Sequence, residues 1–120
     1  MNPSSLDPKG PNARLRVYVG EDKRYGDRPL YEAIVLKARQ LHMSGATVLR
    51  GTLGYGRSTR LHSVSVLRSE DLPVVVEIVD SADNIQRFFE LLTDIKEIGL
   101  ITRDDVQVLL NPPLGADKSG

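Results

Sequence analysis

Apolar and polar residues alternate along four short stretches of the chain. In residues 14–20, Leu15, Val17 and Val19 are each separated by one polar or aromatic residue. This two-residue period is that of a strand with one buried face. The same period, or a run of β-branched and apolar residues, predicts three further strands, over residues 46–53, 72–80 and 101–110.

Between these strands, apolar residues recur every three or four positions, as they do on one face of a helix. The first such segment starts at Pro29, whose missing N–H suits a first helical turn, and runs to about residue 44 before Gly45. The second has Ser81 as a suitable N-cap and Gly99 after its predicted end. Its apolar stripe consists of Ile85, Phe88, Phe89, Leu92, Ile95 and Ile98.

The resulting element order, βαββαβ, predicts an α+β fold. Right-handed crossovers place both helices on one face of a four-stranded, mainly antiparallel sheet, which is the ferredoxin-like sandwich. A chain of 120 residues fits one domain of this kind. We expect the domain to span residues 14–110, with disordered tails at residues 1–13 and 111–120 and a long loop between the second and third strands.

The sheet face turned away from the helices is more apolar than a solvated face would be. If Val17 and Val19 face the helices, Arg16 and Tyr18 face away from them. An exposed apolar patch of this kind marks an interface, so we expect self-association, with Arg16 and Glu77 as an ion pair. The alternative is a solvated sheet with scattered apolar residues. The predicted members of this face are Arg16, Tyr18, Val75, Glu77, Val79, Gln107 and Leu109.

The composition narrows the functions that the chain can have. Lys and Arg total 16 and Asp and Glu total 16, so the formal net charge is zero. A neutral chain argues against nucleic acid as a partner, because phosphate recognition needs positive charge. The absence of cysteine excludes disulfides, thiolate metal sites and a cysteine nucleophile. Because two histidines and scattered carboxylates form no catalytic or metal-binding set, we expect no enzyme activity, no cofactor and no bound metal.

Membrane insertion is not expected either. No apolar run approaches the ~20 residues needed to span a bilayer. The first residues also lack the apolar segment of a signal peptide. We therefore expect a cytoplasmic protein.

A long segment, residues 51–71, joins the second and third predicted strands, where a short turn would be enough. Ordering about 15 loop residues costs on the order of 15–30 kcal/mol, at roughly 1–2 kcal/mol each. The few apolar residues of the segment do not offset that cost. Long loops in compact domains are often functional, so we expect a loop that is mobile when free and ordered by a ligand or partner.

The base of this loop has the residue types of an anion site. Glycines allow close backbone approach or a positive φ, backbone N–H groups can cradle an anion, and arginine adds a fork of donors. The structural alternative is a bent hairpin base with solvated arginines. The predicted ligand-binding residues are Arg50, Gly51, Gly54, Tyr55, Gly56 and Arg57. The predicted target-contact residues are Arg60, His62, Ser63, Ser65 and Arg68.

Two smaller features admit a functional interpretation beside a simpler structural one. Glu21, Asp22 and Asp27 have carboxylates that suit a hard cation, but solvated turn residues are the favoured interpretation. His42 lies near the predicted end of the first helix, where a positive charge is mildly favourable. We prefer that electrostatic role to a role as a ligand.

The sequence carries a set of motifs at residues 17–22, 29–35, 38–39, 45–51, 54–57 and 73–80. In these motifs it resembles the PII-like signalling superfamily, in a branch whose domain has no known function. The resemblance implies a ferredoxin-like homotrimer that binds effectors in the clefts between subunits. It also implies that the long loop docks onto a target, either a membrane transporter or an enzyme.

The sequence departs from the PII pattern at three places. The loop has no tyrosine after Tyr55, residues 97–103 lack a glycine- and lysine-rich phosphate loop, and residues 111–113 read Asn-Pro-Pro where arginines are expected. Three loop-base residues of the family pattern are present in this chain: Gly54, Gly56 and Arg57.

The sequence therefore predicts a regulatory protein that senses a small anionic metabolite, with nucleotides among the candidates. One alternative is a constitutive trimeric interaction protein without a small ligand. Another is an RNA-binding module, because residues 16–20 resemble a ribonucleoprotein motif, although residues 73–79 lack the aromatic residues of its partner motif. A third alternative is a divalent-cation-tolerance trimer, a protein that shares the predicted fold.

Overall fold

The computed structural model describes residues 6–55 and 72–112. It contains a four-stranded sheet and two helices, and a two-stranded hairpin that the sequence pattern did not predict. The elements are β1 (Asn12–Gly20), β2 (Arg24–Tyr25), β3 (Arg28–Pro29), α1 (Leu30–Gln40), β4 (Thr47–Arg50), β5 (Pro73–Ser81), α2 (Ala82–Leu92) and β6 (Leu100–Val106).

The four-stranded sheet has the order β4-β5-β1-β6, and each neighbouring pair is antiparallel. β1 therefore lies between β5 and β6, with Val17 opposite Val76 on one side and Ile101 on the other. This order is the one that two βαβ units produce when they share one sheet. The predicted ferredoxin-like α+β fold is confirmed.

The core lies between the sheet and the two helices. The alternating residues of β1 and β5 supply one side, and the apolar stripes of α1 and α2 supply the other. Each fully buried apolar side chain contributes about 1.5–3 kcal/mol. The largest buried apolar side chains are Phe88, Leu15, Leu30, Ile34, Ile78 and Ile85.

Strand limits differ from the predicted ones where partner residues begin or end. β1 starts at Asn12, so residues 12 and 13, assigned above to the N-terminal tail, belong to the sheet. β4 is shorter than predicted because its pairing ends at Arg50, opposite Val74. β6 ends at Val106, opposite the first residue of β1, rather than near residue 110. The other limits of the predicted tails stay predictions.

The connection between β1 and α1 is a hairpin, not the simple polar turn that the composition predicted. Tyr25 pairs with Arg28 across Gly26, whose φ of 66° lies in the left-handed region that favours glycine. The Arg24 guanidinium donates a hydrogen bond to the carbonyl of Asp27 at 2.6 Å. The hairpin thus holds Tyr25 beside the start of α1.

α1 ends at Gln40, earlier than predicted, because His42 adopts a φ of 59°. The His42 N–H donates to the Arg39 carbonyl, and the Met43 N–H donates to the Ala38 carbonyl at 3.0 Å. These two bonds are those of a Schellman helix end. Gly45, predicted as the helix stop, lies beyond that motif and has no positive φ.

Replacing His42 with glycine is expected to stabilise the fold relative to alanine at the same position. Both variants lose the imidazole, but only glycine adopts a positive φ without crowding its Cβ, a difference of about 1 kcal/mol. Urea unfolding at one fixed protein concentration measures the difference. An alanine variant as stable as the glycine variant would contradict this explanation of the helix end.

α2 ends at Leu92, so Ile95 and Ile98 do not extend its helical stripe as predicted. The Ile95 N–H donates to the Leu92 carbonyl at 3.1 Å, and the Ile98 N–H donates to the Ile95 carbonyl at 3.4 Å. Because each bond spans three residues, the chain continues in tighter turns than an α-helix. Both isoleucines still pack against the core.

Asp80 is a buried carboxylate that joins β5 to both helix connections. One of its oxygens accepts a hydrogen bond from the backbone N–H of Ser44, which follows α1, at 2.7 Å. The other accepts from the backbone N–H of Ser81 at 2.7 Å and from Nδ2 of Asn84 at 3.2 Å. Ser81 is the N-cap of α2, and its Oγ accepts from the Asn84 N–H.

Candidate functional site

Three segments meet at the base of the long connection between β4 and β5. The Gly51 N–H, directly after β4, donates to the carbonyl of Pro73 at 2.8 Å. The Glu21 N–H, directly after β1, donates to the carbonyl of Leu72 at 3.0 Å. Both ends of the connection are therefore anchored on the sheet, and we call this region the loop base.

The loop-base glycines are needed for space. A Cβ on Gly51 would lie 2.8 Å from Cγ of Pro73, and one on Gly54 would lie 3.0 Å from the same atom. Neither glycine has a positive φ, so of the two uses expected of glycine here, only close approach applies to these two. The close approach allows the chain to fold over the Pro73 ring.

Arg50 does not stand alone at the loop base, because its guanidinium forms an ion pair with the carboxylate of Glu21. Glu21 is largely buried and Arg50 is half-exposed. A guanidinium has five N–H donors, so one carboxylate leaves donors that an anion can use. Glu21 fixes the position of Arg50 and offsets part of its charge.

This role of Glu21 was not predicted from the sequence, in which Glu21 was weighed with Asp22 and Asp27 as a cation ligand. The pairing joins residues far apart in the chain, so no local motif indicates it. In the described ranges 6–55 and 72–112, no group of three His, Asp or Glu side chains is placed to hold a metal ion.

Only part of the predicted ligand site lies among the described residues. The structure packs Gly51 and Gly54 against Pro73 and pairs Arg50 with Glu21, while Tyr55 is exposed. The remaining predicted site residues lie outside the described residues. These are the ligand-binding residues Gly56 and Arg57 and the target-contact residues Arg60, His62, Ser63, Ser65 and Arg68.

The sheet face opposite the helices, called the far face below, carries a continuous apolar row. Tyr18 of β1 stands opposite Val75 of β5 and Leu100 of β6, and Val75 stands opposite Leu49 of β4. Leu49 and Leu100 are 48% and 54% exposed, so the row is open along its length. A row of this kind crosses all four strands without a charge.

The predicted contribution of β6 to the far face is wrong. The register places even-numbered residues there, and β6 ends before Gln107 and Leu109, the two residues predicted. Leu100, Thr102 and Asp104 occupy the face instead, because they stand opposite Tyr18, Arg16 and Arg14.

Beside the apolar row, the far face carries two ion pairs between neighbouring strands. Nε of Arg16 lies 3.0 Å from Oε2 of Glu77, the pair that the sequence predicted. Nη2 of Arg14 lies 2.7 Å from Oδ2 of Asp104. The hydrogen bond from Arg14, with the attraction of Arg14 and Arg16, lowers the pKa of Asp104.

Replacing Arg14 with methionine is expected to raise the pKa of Asp104 toward that of an ordinary carboxyl group. The substitution keeps the apolar stem but removes the donor that stabilises the ionised form. Because the folded pKa is lowered, the contribution to stability is present above the ordinary pKa and is lost as the pH falls through the lowered value. Carboxyl NMR titration of both forms measures the change, and an unchanged pKa would contradict the assignment.

In the part of the chain that the structure describes, no helix combines the length and the apolar character that crossing a membrane requires.

The fold of this chain is shared with a solved protein of the PII-like class. A crystal structure provisionally described as that of a PII-like signaling protein from Thermus thermophilus superposes with a TM-score of 0.59. The match covers 82% of this chain and 90% of that chain. At 14% sequence identity, it shows the fold alone.

The chain belongs to the DUF190 family, described as "Uncharacterized ACR, COG1993", whose model matches residues 12–108. A UPF0166 protein of Aquifex aeolicus is 41% identical over 97 residues, covering 79% of this chain and 90% of the relative. A UPF0166 protein of Methanocaldococcus jannaschii is 35% identical over 96 residues, covering 78% and 88%. The predicted resemblance to an uncharacterised branch of the PII-like superfamily is confirmed.

Proposed function

We propose that this chain is a PII-like regulatory protein without catalytic activity. It senses a small anionic metabolite, with nucleotides as the first candidates, and it controls a target protein through the loop of residues 56–71. The observation that carries the proposal is the loop base. There the two glycines and the fixed guanidinium of Arg50 adjoin the ends of a long connection in a PII-like fold.

The ligand is an anion because the groups available at the loop base are hydrogen-bond donors. Arg50 keeps donors beyond those used by Glu21, and Arg57 follows in the sequence. Arginine recognises phosphate and carboxylate groups through its planar fork. Gly54 and Gly56 shape the backbone around the ligand, and Arg57 holds its anionic group.

The functional unit is a homotrimer assembled through the far face. Apolar side chains open to solvent, such as Leu49 and Leu100, gain stability when a second copy covers them. The flanking ion pairs of Arg14 and Arg16 use their charges within the chain, so the face can approach another copy without unpaired charge. Assembly places each loop base near a neighbouring subunit.

The target meets the loop through the polar residues after Arg57. We place the encounter in the cytoplasm, with a membrane transporter or an enzyme as the target. Ligand binding changes the population of loop states that the target accepts, by its different affinity for those states. The contact residues are Arg60, His62, Ser63, Ser65 and Arg68.

Calorimetric titration of the full chain with ATP, ADP, AMP and inorganic phosphate tests this function. We expect at least one nucleotide to bind, and Arg57→Met to weaken it about tenfold or more, because a charged hydrogen bond is worth about 1.5–3 kcal/mol. Arg39→Met, an exposed arginine on α1, is the control and leaves the affinity unchanged. If none of these four anions binds, the result favours a constitutive interaction protein without a small ligand.

A further inference from the structure

A groove of about 350 Å³ lies on the helical side of the domain, between α1 and the end of α2. None of its lining residues belongs to the loop base or to the far face. Pockets for small ligands start at about 300 Å³, so the groove fits a small molecule. It therefore offers a second ligand position, separate from the proposed anion site.

The floor of the groove is apolar and firmly held. Leu30 and Ile34 of α1 and Leu92 of α2 line it, and all three are buried in the core. Its two flanks are large side chains that stay exposed, Tyr25 at 56% and Leu91 at 47%. Exposed apolar groups beside a preformed floor are the surface that an apolar ligand group would cover.

The hairpin gives Tyr25 a fixed place at this groove. β2 and β3 pair through only two residues each, and the Leu30 N–H donates to the Lys23 carbonyl at 2.9 Å. The hairpin is thereby bound to the first residue of α1, which is itself part of the groove floor. The hairpin therefore holds the backbone of Tyr25 at the groove, and the exposed ring lines it.

Opposite charges come from opposite sides of the groove. α1 contributes Lys37, and the turns after α2 contribute Asp94 and Glu97. No ion pair found among residues 6–55 and 72–112 involves any of these three. No ion pair in the described residues joins the lysine to either carboxylate, and all three side chains are exposed. The groove therefore presents a cation and two anions that a bound molecule can satisfy.

We propose that this groove binds a free α-amino acid with an apolar side chain. Such a molecule carries a carboxylate and an ammonium on one carbon, so it can bridge side chains that are not paired with each other. Its carboxylate faces Lys37, and its ammonium faces Asp94 and Glu97. Its side chain lies on the apolar floor, flanked by Tyr25. A purely anionic ligand would leave the two carboxylates of the groove unfavourably close to its charge.

Calorimetry on the full chain tests the proposal with L-leucine, L-isoleucine and L-phenylalanine. Each molecular feature is removed separately: 3-methylbutylamine lacks the carboxylate, 4-methylpentanoate lacks the ammonium, and glycine lacks the side chain. We expect at least one of the three amino acids to bind and every analogue to bind at least tenfold more weakly. Lys37→Met weakens binding at least tenfold, whereas Arg39→Met on the same helix does not.

Three results would overturn the proposal. One is that none of the three amino acids binds. Another is that an analogue binds the native chain as tightly as the amino acid does, or that the amino acid binds the Lys37→Met variant as tightly as the native chain. The third is that NMR signals of Tyr25 and Leu91 respond to protein concentration and not to amino acid, which identifies a second copy as the occupant. Nucleotide affinity is unaffected by Lys37→Met, so this test and that of the proposed function fail independently.

Discussion

The Tyr18→Glu variant is expected to have the mass of a single chain in solution, whereas we expect the native chain to have the mass of three. Tyr18 lies in the middle of the apolar row, with Val75 and Leu100 directly opposite. A carboxylate there would be buried without a partner when copies assemble, at a cost of about 3–5 kcal/mol. At 1.4 kcal/mol per tenfold change, assembly weakens more than a hundredfold.

Light scattering coupled to gel filtration measures this mass, and circular dichroism shows that the variant is folded. Because Tyr18 is only partly buried and lies outside the core, we expect the variant to fold. Leu91→Glu is the control, because it places the same charge on an apolar side chain of the helical side, away from the far face. A folded Tyr18→Glu variant with the native mass would show that the far face is not the assembly surface.

The Asp80→Ala variant is expected to lose about 3–5 kcal/mol of the free energy of unfolding. The carboxylate accepts hydrogen bonds from Ser44, Ser81 and Asn84, so its removal leaves three donors without that acceptor. A buried donor left without an acceptor costs about 1–3 kcal/mol. Domains of this size have about 5–15 kcal/mol in total, so a large share of the stability depends on one side chain.

Urea unfolding at one fixed protein concentration measures this loss, since assembly would otherwise change the apparent stability. Asp80→Asn is expected to lose less, because it keeps one accepting oxygen, and Asp105→Asn, an exposed carboxylate of β6, is the control with little effect. An Asp80→Ala variant as stable as the control would contradict the structural role of this carboxylate.

The strands and helices that carry the fold follow from local patterns. Leu15, Val17 and Val19 alternate because β1 buries one face, and the stripe around Phe88 marks the buried face of α2. The sheet order then follows from the βαββαβ sequence of elements. Local periodicity was sufficient here because the buried side of each element faces one common core.

The ends of β6 and α1 depend on contacts with other parts of the chain, which local sequence patterns do not predict. β6 ends at Val106, opposite the first residue of β1, so the apolar residues that follow Val106 have no partner residue in β1 and do not extend the sheet. α1 ends at Gln40 because His42, rather than the expected Gly45, takes the positive φ that closes the helix. The hairpin at Tyr25 had a local signal, Gly26 followed by Asp27, that typically marks a tight turn.

Residue types predicted where the candidate site lies, but not which side chains pair within it. Glycine and arginine at residues 50–54 indicated the loop base, and the structure shows those glycines packed on Pro73. The partner of Arg50 is Glu21, which follows a different strand and meets Arg50 only through the sheet. The roles of the loop residues 56–71 stay predictions.

Amide hydrogen exchange of residues 50–71, with and without saturating ATP or ADP, tests the central claim most directly. If the nucleotide binds at the loop base and shifts the population of loop states, amide exchange in this segment slows when the nucleotide binds. Exchange in α1 serves as the internal reference and stays unchanged. Identical exchange of residues 50–71 in both conditions, with nucleotide shown to be bound, would contradict the account.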